Sequence, residues 1–437
     1  MLEGLIYVEQ ISERIRYVER TFFEERGLSI KFTNDLSMFN SFSGDKLNYS
    51  ERTSNDTEQM FPSSLLFRER LIEYKVETVV WRNSKILSFD GVVDPLATMF
   101  YIITRYEEYF AAVKDSHGRY LAKNSVLKKH FDLKEQTVER IFHCFLGVYF
   151  PVIFENYLKS IKSEYVPTFD IDNTFAFKWK EGWRTWASNV KDLVKNDSER
   201  KSARKKVQSG ELKDPFDSWE EIKYVLTNSP SSKVFWLLGD FKKYDKNISW
   251  NDPRHQRLIR EIDQLVEVGL HPSYASNTEV ERIELEKKRL ETILNRKVTS
   301  NRQHFLKLEF PMTYRNLILA GFTDDYSLGY AEEIGFRAGT AHSHTWFDLQ
   351  QNIRTDLLIH PFVCMDGTLN QYLQWSTEKS VVELKKLIDE VKHYGGNFYS
   401  IWHNESFAQS GIWKGWRTVF EQTEKYWLKG DGDDNEK

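Results

Sequence analysis

From residue 160 onward the chain falls into a rhythm of short apolar runs, each ending in polar residues and each followed by a stretch with helical spacing. The runs are YVPTFD, VFWLLGD, EVGLH, KVTSNRQHF, GFRAGT and NFYSIWHN. Strands that alternate with helices build parallel β/α units, because a parallel neighbour is reached through a crossover, usually a helix. The unit at 271–302 is the clearest. After His271, Thr278 to Glu281 offer a capping box, Ile283, Leu290, Ile293 and Leu294 make a buried face, and VTSNR returns as a strand. No glycine fingerprint of a dinucleotide fold follows any run, and no GxxxxGK phosphate loop occurs. The pattern predicts an α/β fold over residues 161–429 and favours a (β/α) barrel over a doubly wound sheet. Chemistry in such barrels gathers where the strands end.

Residues 1–160 read as a smaller α/β companion domain. RTFFEERGLSIKFTND is helix, glycine stop, strand, and VDPLATMFYIITRYEEYFAA places apolar residues three and four apart. RYEEYF and DSHGRY concentrate Arg105, Glu107, Glu108, Asp115, His117 and Arg119, which predicts an ion-paired helix end and turn. Residues 195–213 hold seven Lys/Arg among nineteen, a solvated helix or loop or else a contact for an anionic substrate. GDGDDNEK, residues 430–437, reads as a disordered acidic tail.

Composition excludes several classes. A net charge of -4 over 437 residues opposes a nucleic-acid partner, which demands a basic surface. With only Cys144 and Cys364, neither a disulfide framework nor a cysteine-rich zinc site is available, and a reducing compartment fits. Glu3, Glu9 and Glu13 interrupt the first apolar stretch, and no apolar run reaches the roughly 18 residues of a membrane span. The expectation is a soluble, cytoplasmic chain without an integral membrane segment. Aromatic residues make up 15% of the chain, enough that some line clefts, where their faces suit the C–H edges of sugars.

PTFDIDNTF, residues 167–175, sets Asp170 and Asp172 two residues apart at a predicted strand end. Carboxylates so close repel, and the arrangement persists where a cation, a buried hydrogen-bond network or acid/base work requires it. His271, Arg302, His304 and His403 also lie at or just past strand ends. Elsewhere, His342 and His344 in AHSHTWFD read as solvated loop histidines. Asp324 and Asp325 either orient a catalytic group or accept loop amides, and Arg337 in GFRAGT either faces a substrate anion or pairs internally.

The order of FDIDNT, GLHPSY, RQHFL, DDYSLGY, GFRAGT and SIWHNES over residues 160–425 resembles the NodB-type polysaccharide deacetylases, in a divergent subgroup found in bacterial surface-polysaccharide loci. Residues 1–160 resemble the N-terminal extension of that subgroup, and for residues 161–429 the resemblance implies a distorted (β/α) barrel of the polysaccharide deacetylase type. The resemblance implies that Asp170 is the base, Asp172 and His271 are metal ligands, Arg302 holds the base and His403 is the general acid. The family's second metal histidine should fall four residues after His271, where Ala275 stands; Ser276 and Asn277 are nearby but poorer ligands. His304, two residues from Arg302 and on the same side of a strand, offers a replacement. Asp172, His271 and His304 would meet the three-ligands-plus-water pattern of catalytic zinc. The implied activity is metal-dependent hydrolysis of an N-acetyl group on a sugar of a surface polysaccharide or its cytoplasmic precursor. The implied partner is a glycan or activated sugar, with peripheral contact if the substrate is lipid-linked. The alternative is a catalytically inactive carbohydrate-binding or scaffold protein.

Overall fold

The computed structural model describes residues 3–53, 57–180, 198–408 and 410–429. Residues 195–197 of the basic stretch and the acidic tail at 430–437 lie outside the described residues.

The chain opens with four parallel strands, β1 (Gly4–Tyr7), β2 (Ile30–Thr33), β3 (Asp45–Tyr49) and β4 (Glu58–Met60), in the order β2-β1-β3-β4. An antiparallel meander follows, made of β5 (Val76–Trp81), β6 (Ser84–Phe89) and β7 (Val92–Val93). The helix Pro95–Ile103 starts where it does because Asp94 accepts a hydrogen bond from the Ala97 amide and Pro95 fills the first helical position, where no N–H is needed. All nine of its residues are buried. Asp94 also accepts from the Tyr49 hydroxyl at 2.6 Å and the Ser63 amide at 2.8 Å, tying this helix to the first sheet.

The second sheet has nine strands: β8 (Ser163–Ile171), β9 (Lys233–Leu237), β10 (Val268–His271), β11 (Ser300–Asn301), β12 (Asp324–Asp325), β13 (His344–Asp348), β14 (Ile353–Ile359), β15 (Phe362–Met365) and β16 (Gly396–His403). Their order is β13-β14-β12-β11-β10-β9-β8-β16-β15, parallel throughout except for the β13–β14 hairpin. The sheet curls into a half-barrel, and among the described residues no ladder joins β13 to β15. Its buried cluster includes Trp236 and Trp402, with Trp219 stacked on Trp236 at 5.3 Å. Five amphipathic helices, Trp219–Asn228, Pro253–Asp263, Val280–Leu294, Thr377–Tyr394 and Arg417–Leu428, contribute apolar faces to that cluster.

Several expectations need correcting. GFRAGT is not a strand. Gly335 and Gly339 have φ of +121° and +66°, and the Leu133 carbonyl packs where a Cβ on Gly335 would stand. KVTSNRQHF contributes only the two residues of β11, after which the Phe305 backbone turns left-handed. The helix after His271 begins at Val280 with Glu279 at its N-cap, without a side-chain cap. His342 and His344 are not solvated: His344 is buried at the start of β13, and the partly buried His342 ring meets the Tyr394 carbonyl at 3.2 Å. Arg337 pairs internally, donating to both Glu108 oxygens, and the buried Asp325 accepts from the Ser327 amide and hydroxyl. No helix among the described residues is long and apolar enough to cross a membrane.

Candidate metal centre

Strand register sets the level of each side chain. Asp170 on β8 lies opposite His403 on β16, so these two residues end neighbouring strands at one height. Asp170 also pairs with Phe235, and Leu237 pairs with His271, which puts His271 two residues higher, level with Asp172. Residues two apart on a strand share a face, so Asp170 and Asp172 point the same way. The structure thereby brings Asp170, Asp172, His271, His304 and His403 to the wall of one cavity of about 180 Å³.

Asp172 is the centre of convergence. His271 Nε2 lies 3.1 Å from its Oδ1, His304 Nε2 lies 3.3 Å from its Oδ2, and His403 Nε2 lies 3.8 Å from Oδ2. Potential ligand atoms of Asp172, His271 and His304 all fall within 4.8 Å of one another. Ser276 stands apart, its hydroxyl donated to the Ser273 carbonyl at 2.7 Å.

The outer nitrogens decide what the inner ones can do. His271 Nδ1 lies 2.5 Å from the Arg302 carbonyl, an acceptor only, so Nδ1 carries a proton and Nε2 is the nitrogen turned toward Asp172. His304 Nδ1 meets Asp245 Oδ1 at 3.0 Å and is fixed in the same sense. Two imidazole nitrogens and a carboxylate thus face one another. Asp172 Oδ1 is buried and meets the hydrogen-bond criterion with no partner among the described residues. Such an arrangement could hold a cation, and Asp–His–His is a donor set of the kind that zinc takes. Burial raises the Asp172 carboxyl, but the His304 and His271 rings outweigh it and hold the group well below the usual carboxylate range. Burial lowers His304, and Asp172 and Asp245 more than offset this, bringing it to about 9. The three residues fit a metal ion by donor type and by spacing.

Two further groups flank the cluster. The buried Asp170 accepts from Arg302 Nη1 at 2.8 Å, with its Oδ2 4.0 Å from His271 Nε2. Arg302 is itself fixed by the Thr168 hydroxyl at 2.7 Å, by the Tyr326 carbonyl at 2.9 Å and by the Phe235 ring beneath its guanidinium. On the other side, His403 Nδ1 meets Asp366 Oδ1 at 2.8 Å, and its backbone amide donates to Asp366 Oδ2 at 2.7 Å. Burial disfavours the charged imidazole, yet Asp366 raises it well above its ordinary value, with Asp172 and Asp170 adding to the effect. Glu405, also on the cavity wall, is pushed up to about 7, chiefly by burial, with His403 acting in the opposite sense.

Sequence reasoning missed Asp245 and Asp366. Asp366 follows β15 directly, a polar end to an apolar run like the others, and that signal could have found it. Asp245 sits in FKKYDKN, an irregular polar loop with no periodic cue.

A family described only as a family of unknown function (DUF7033) matches residues 4–148. No curated protein matches the chain. The structure is similar to that of a protein from Mycobacterium smegmatis described as a polysaccharide deacetylase, with TM-score 0.38, 12% identity and coverage of 62% of this chain and 85% of that one. It is similar to Puue allantoinase with TM-score 0.37, 11% identity and coverage of 61% and 84%. It is also similar to IcaB from Ammonifex degensii, with TM-score 0.22, 14% identity and coverage of 38% and 83%. At these scores the chemistry has to be read from the side chains themselves. What fold and site define is a mixed α/β protein whose curled, mostly parallel sheet carries an Asp–His–His cluster at its strand ends, flanked by an Arg-held aspartate and an Asp-held histidine.

Proposed function

We propose that the protein is a metal-dependent carbohydrate deacetylase, with residues 161–429 as its catalytic part and residues 1–160 as a companion domain. It hydrolyses an N-acetyl group on a sugar of a surface polysaccharide or of a precursor to one. Asp172, His271 and His304 hold a divalent ion, zinc being the one the donor set suits best. When bound, that ion supplies Lewis acidity, polarising an acyl oxygen and lowering the pKa of water from about 15.7 to roughly 7. Asp170, aimed by Arg302, takes a proton from the attacking water. The water oxygen forms the new bond to the acyl carbon, the C–N bond breaks, and His403, held by Asp366, protonates the departing nitrogen. Acetate and a free amino sugar result. Each proton transfer is worth roughly a hundred- to ten-thousandfold in rate.

The observation that carries this reading is the convergence of three ligand atoms beside one candidate base and one candidate acid around a single cavity. The basic stretch contributes none of the described residues lining that cavity, so a phosphate on the substrate forms no part of the proposal. The test is metal content together with acetate release from N-acetylated glycans. The parent should hold about one tightly bound divalent ion per chain, lost in Asp172→Ala and His271→Ala. Asp170→Asn should keep the ion and lose roughly a hundred- to ten-thousandfold in rate. A metal-free parent that binds glycan without cleaving it would instead support a scaffold.

A further inference from the structure

The residue after His304 is held in a conformation that bulky side chains rarely adopt. Phe305 and Leu306 have φ of +62° and +53°, so the backbone leaving a metal-ligand position is left-handed at two non-glycine residues in succession. Such backbone persists only where its surroundings impose it, and it concentrates at functional sites. Much of what imposes it here comes from the N-terminal segment. Lys114 and Tyr120 form a β-bridge at the base of a tight turn. Inside the turn, Asp115 Oδ1 accepts from the amides of His117 and Arg119, both at 2.8 Å, and Asp115 Oδ2 accepts from Arg119 Nε at 2.7 Å. The fixed guanidinium reaches across to the segments that follow β11 and β15. Its Nη1 donates to the Phe305 carbonyl at 3.2 Å and its Nη2 to the Tyr372 hydroxyl at 3.1 Å, and it lines the same cavity as the metal cluster. The His117 ring packs on the Phe305 ring at 4.8 Å, while Tyr244 and Tyr274 close the cage at 5.1 Å each. The far side of Phe305 is the His304 ring, edge-on at 4.8 Å.

We propose that the N-terminal segment is a working part of the metal centre: the turn Asp115–Arg119 holds the left-handed backbone that presents His304, with Arg119 as a positioning residue. This rests on the assignment of Asp172, His271 and His304 as the metal site, and it gives the matched family of unknown function a task in this chain. Groups that orient metal ligands commonly contribute ten- to a hundredfold in metal affinity.

The experiment uses the full chain and the metal alone. Zn²⁺ affinity is measured by competition with a chelator, and the visible spectrum of the Co²⁺-loaded protein reports ligand geometry. Arg119→Met should weaken Zn²⁺ binding roughly ten- to a hundredfold and alter the Co²⁺ bands. Arg119→Lys, which keeps one donor within reach of the Phe305 carbonyl, should recover part of the affinity. Arg52→Met, which removes an exposed Arg52–Glu9 pair in the same segment, should change neither. If Arg119→Met does not fold, Arg119→Lys decides, and parent-like affinity and spectrum in it overturn the proposal. A parent that binds Zn²⁺ with folded Arg119 variants that bind it equally well overturns the positioning role alone. A parent that binds neither ion overturns the metal centre and this inference with it.

Discussion

Asp366 shows how much of the candidate acid's behaviour lies in a buried residue behind the cavity wall. It receives both the Nδ1 side and the backbone amide of His403, which fixes the ring and leaves Nε2 toward the cavity. A general acid works only while protonated, so activity should fall as pH rises through the His403 pKa. Asp366 raises that pKa, so Asp366→Asn should move the alkaline limb of kcat to lower pH, and the maximal rate should drop roughly a hundredfold or more as the ring loses its fixed tautomer. A pH–rate profile checks this, and an unmoved alkaline limb would remove His403 from the proton path. The six residues singled out from the sequence stand together because aspartates, histidines and an arginine at the ends of apolar runs are visible in a string of letters. Asp245 and Asp366 act through their partners, and a string shows no partners.

Among elements, the long apolar runs were the legible ones. YVPTFD, VFWLLGD, EVGLH and NFYSIWHN lie in β8, β9, β10 and β16, each paired on both sides or packed beneath helices. β12, two residues long, is too short to leave a period, and GFRAGT has the right composition for a strand but the wrong backbone. At Gly335 an added Cβ would stand 2.2 Å from the Leu133 carbonyl oxygen, a backbone atom, at a φ that L residues avoid. Gly335→Ala should therefore cost about 3 kcal/mol or more, read from urea denaturation. The helix Pro253–Asp263 carries a second test. His255 is fully buried, its Nε2 accepting from the Trp236 indole at 2.8 Å and its Nδ1 lying 3.1 Å from the Ser249 carbonyl, which fixes the neutral ring. Burial lowers its pKa from 6.5 to about 4. Only the unfolded chain binds this proton between those values, so the contribution is complete above about pH 6.5 and lost as pH falls toward 4. The share from His255 should be about 2 kcal/mol between pH 7 and 5, and His255→Gln should flatten the stability profile by that amount. An unchanged slope would mean the ring is charged in the fold.

At the scale of the whole molecule, the N-terminal segment and the second sheet are joined by more than the turn at Arg119. The core of the first part extends into Tyr330, Phe347 and Leu349 of the second, and Glu139 receives both Arg26 and the Thr340 hydroxyl. The most demanding junction is Arg105, Glu108 and Arg337, all buried. Arg337 Nη2 donates to Glu108 Oε2 at 2.5 Å, Arg105 Nε donates to Glu108 Oε1 at 2.8 Å, and Arg105 reaches the Arg337 carbonyl as well. The helix end at Arg105 is legible in sequence as ion-paired, but its partner lies 229 residues from Glu108 along the chain, beyond any local pattern. Burial pushes the Glu108 carboxyl up, and the two guanidinium groups outweigh this and hold it below its ordinary value. Its stabilisation is therefore complete above that value and fails as pH falls below it. Removing only the anion leaves two buried cations facing each other, a change that costs roughly 3–5 kcal/mol. Glu108→Leu should lose that much. Arg337→Met added to it should restore at least about 1 kcal/mol, because Arg105 keeps Glu107 at 2.9 Å and a buried charge has been withdrawn. Urea denaturation of the two single variants and the double variant closes the cycle. Additive losses would mean that the parts of the chain are held by their apolar faces alone.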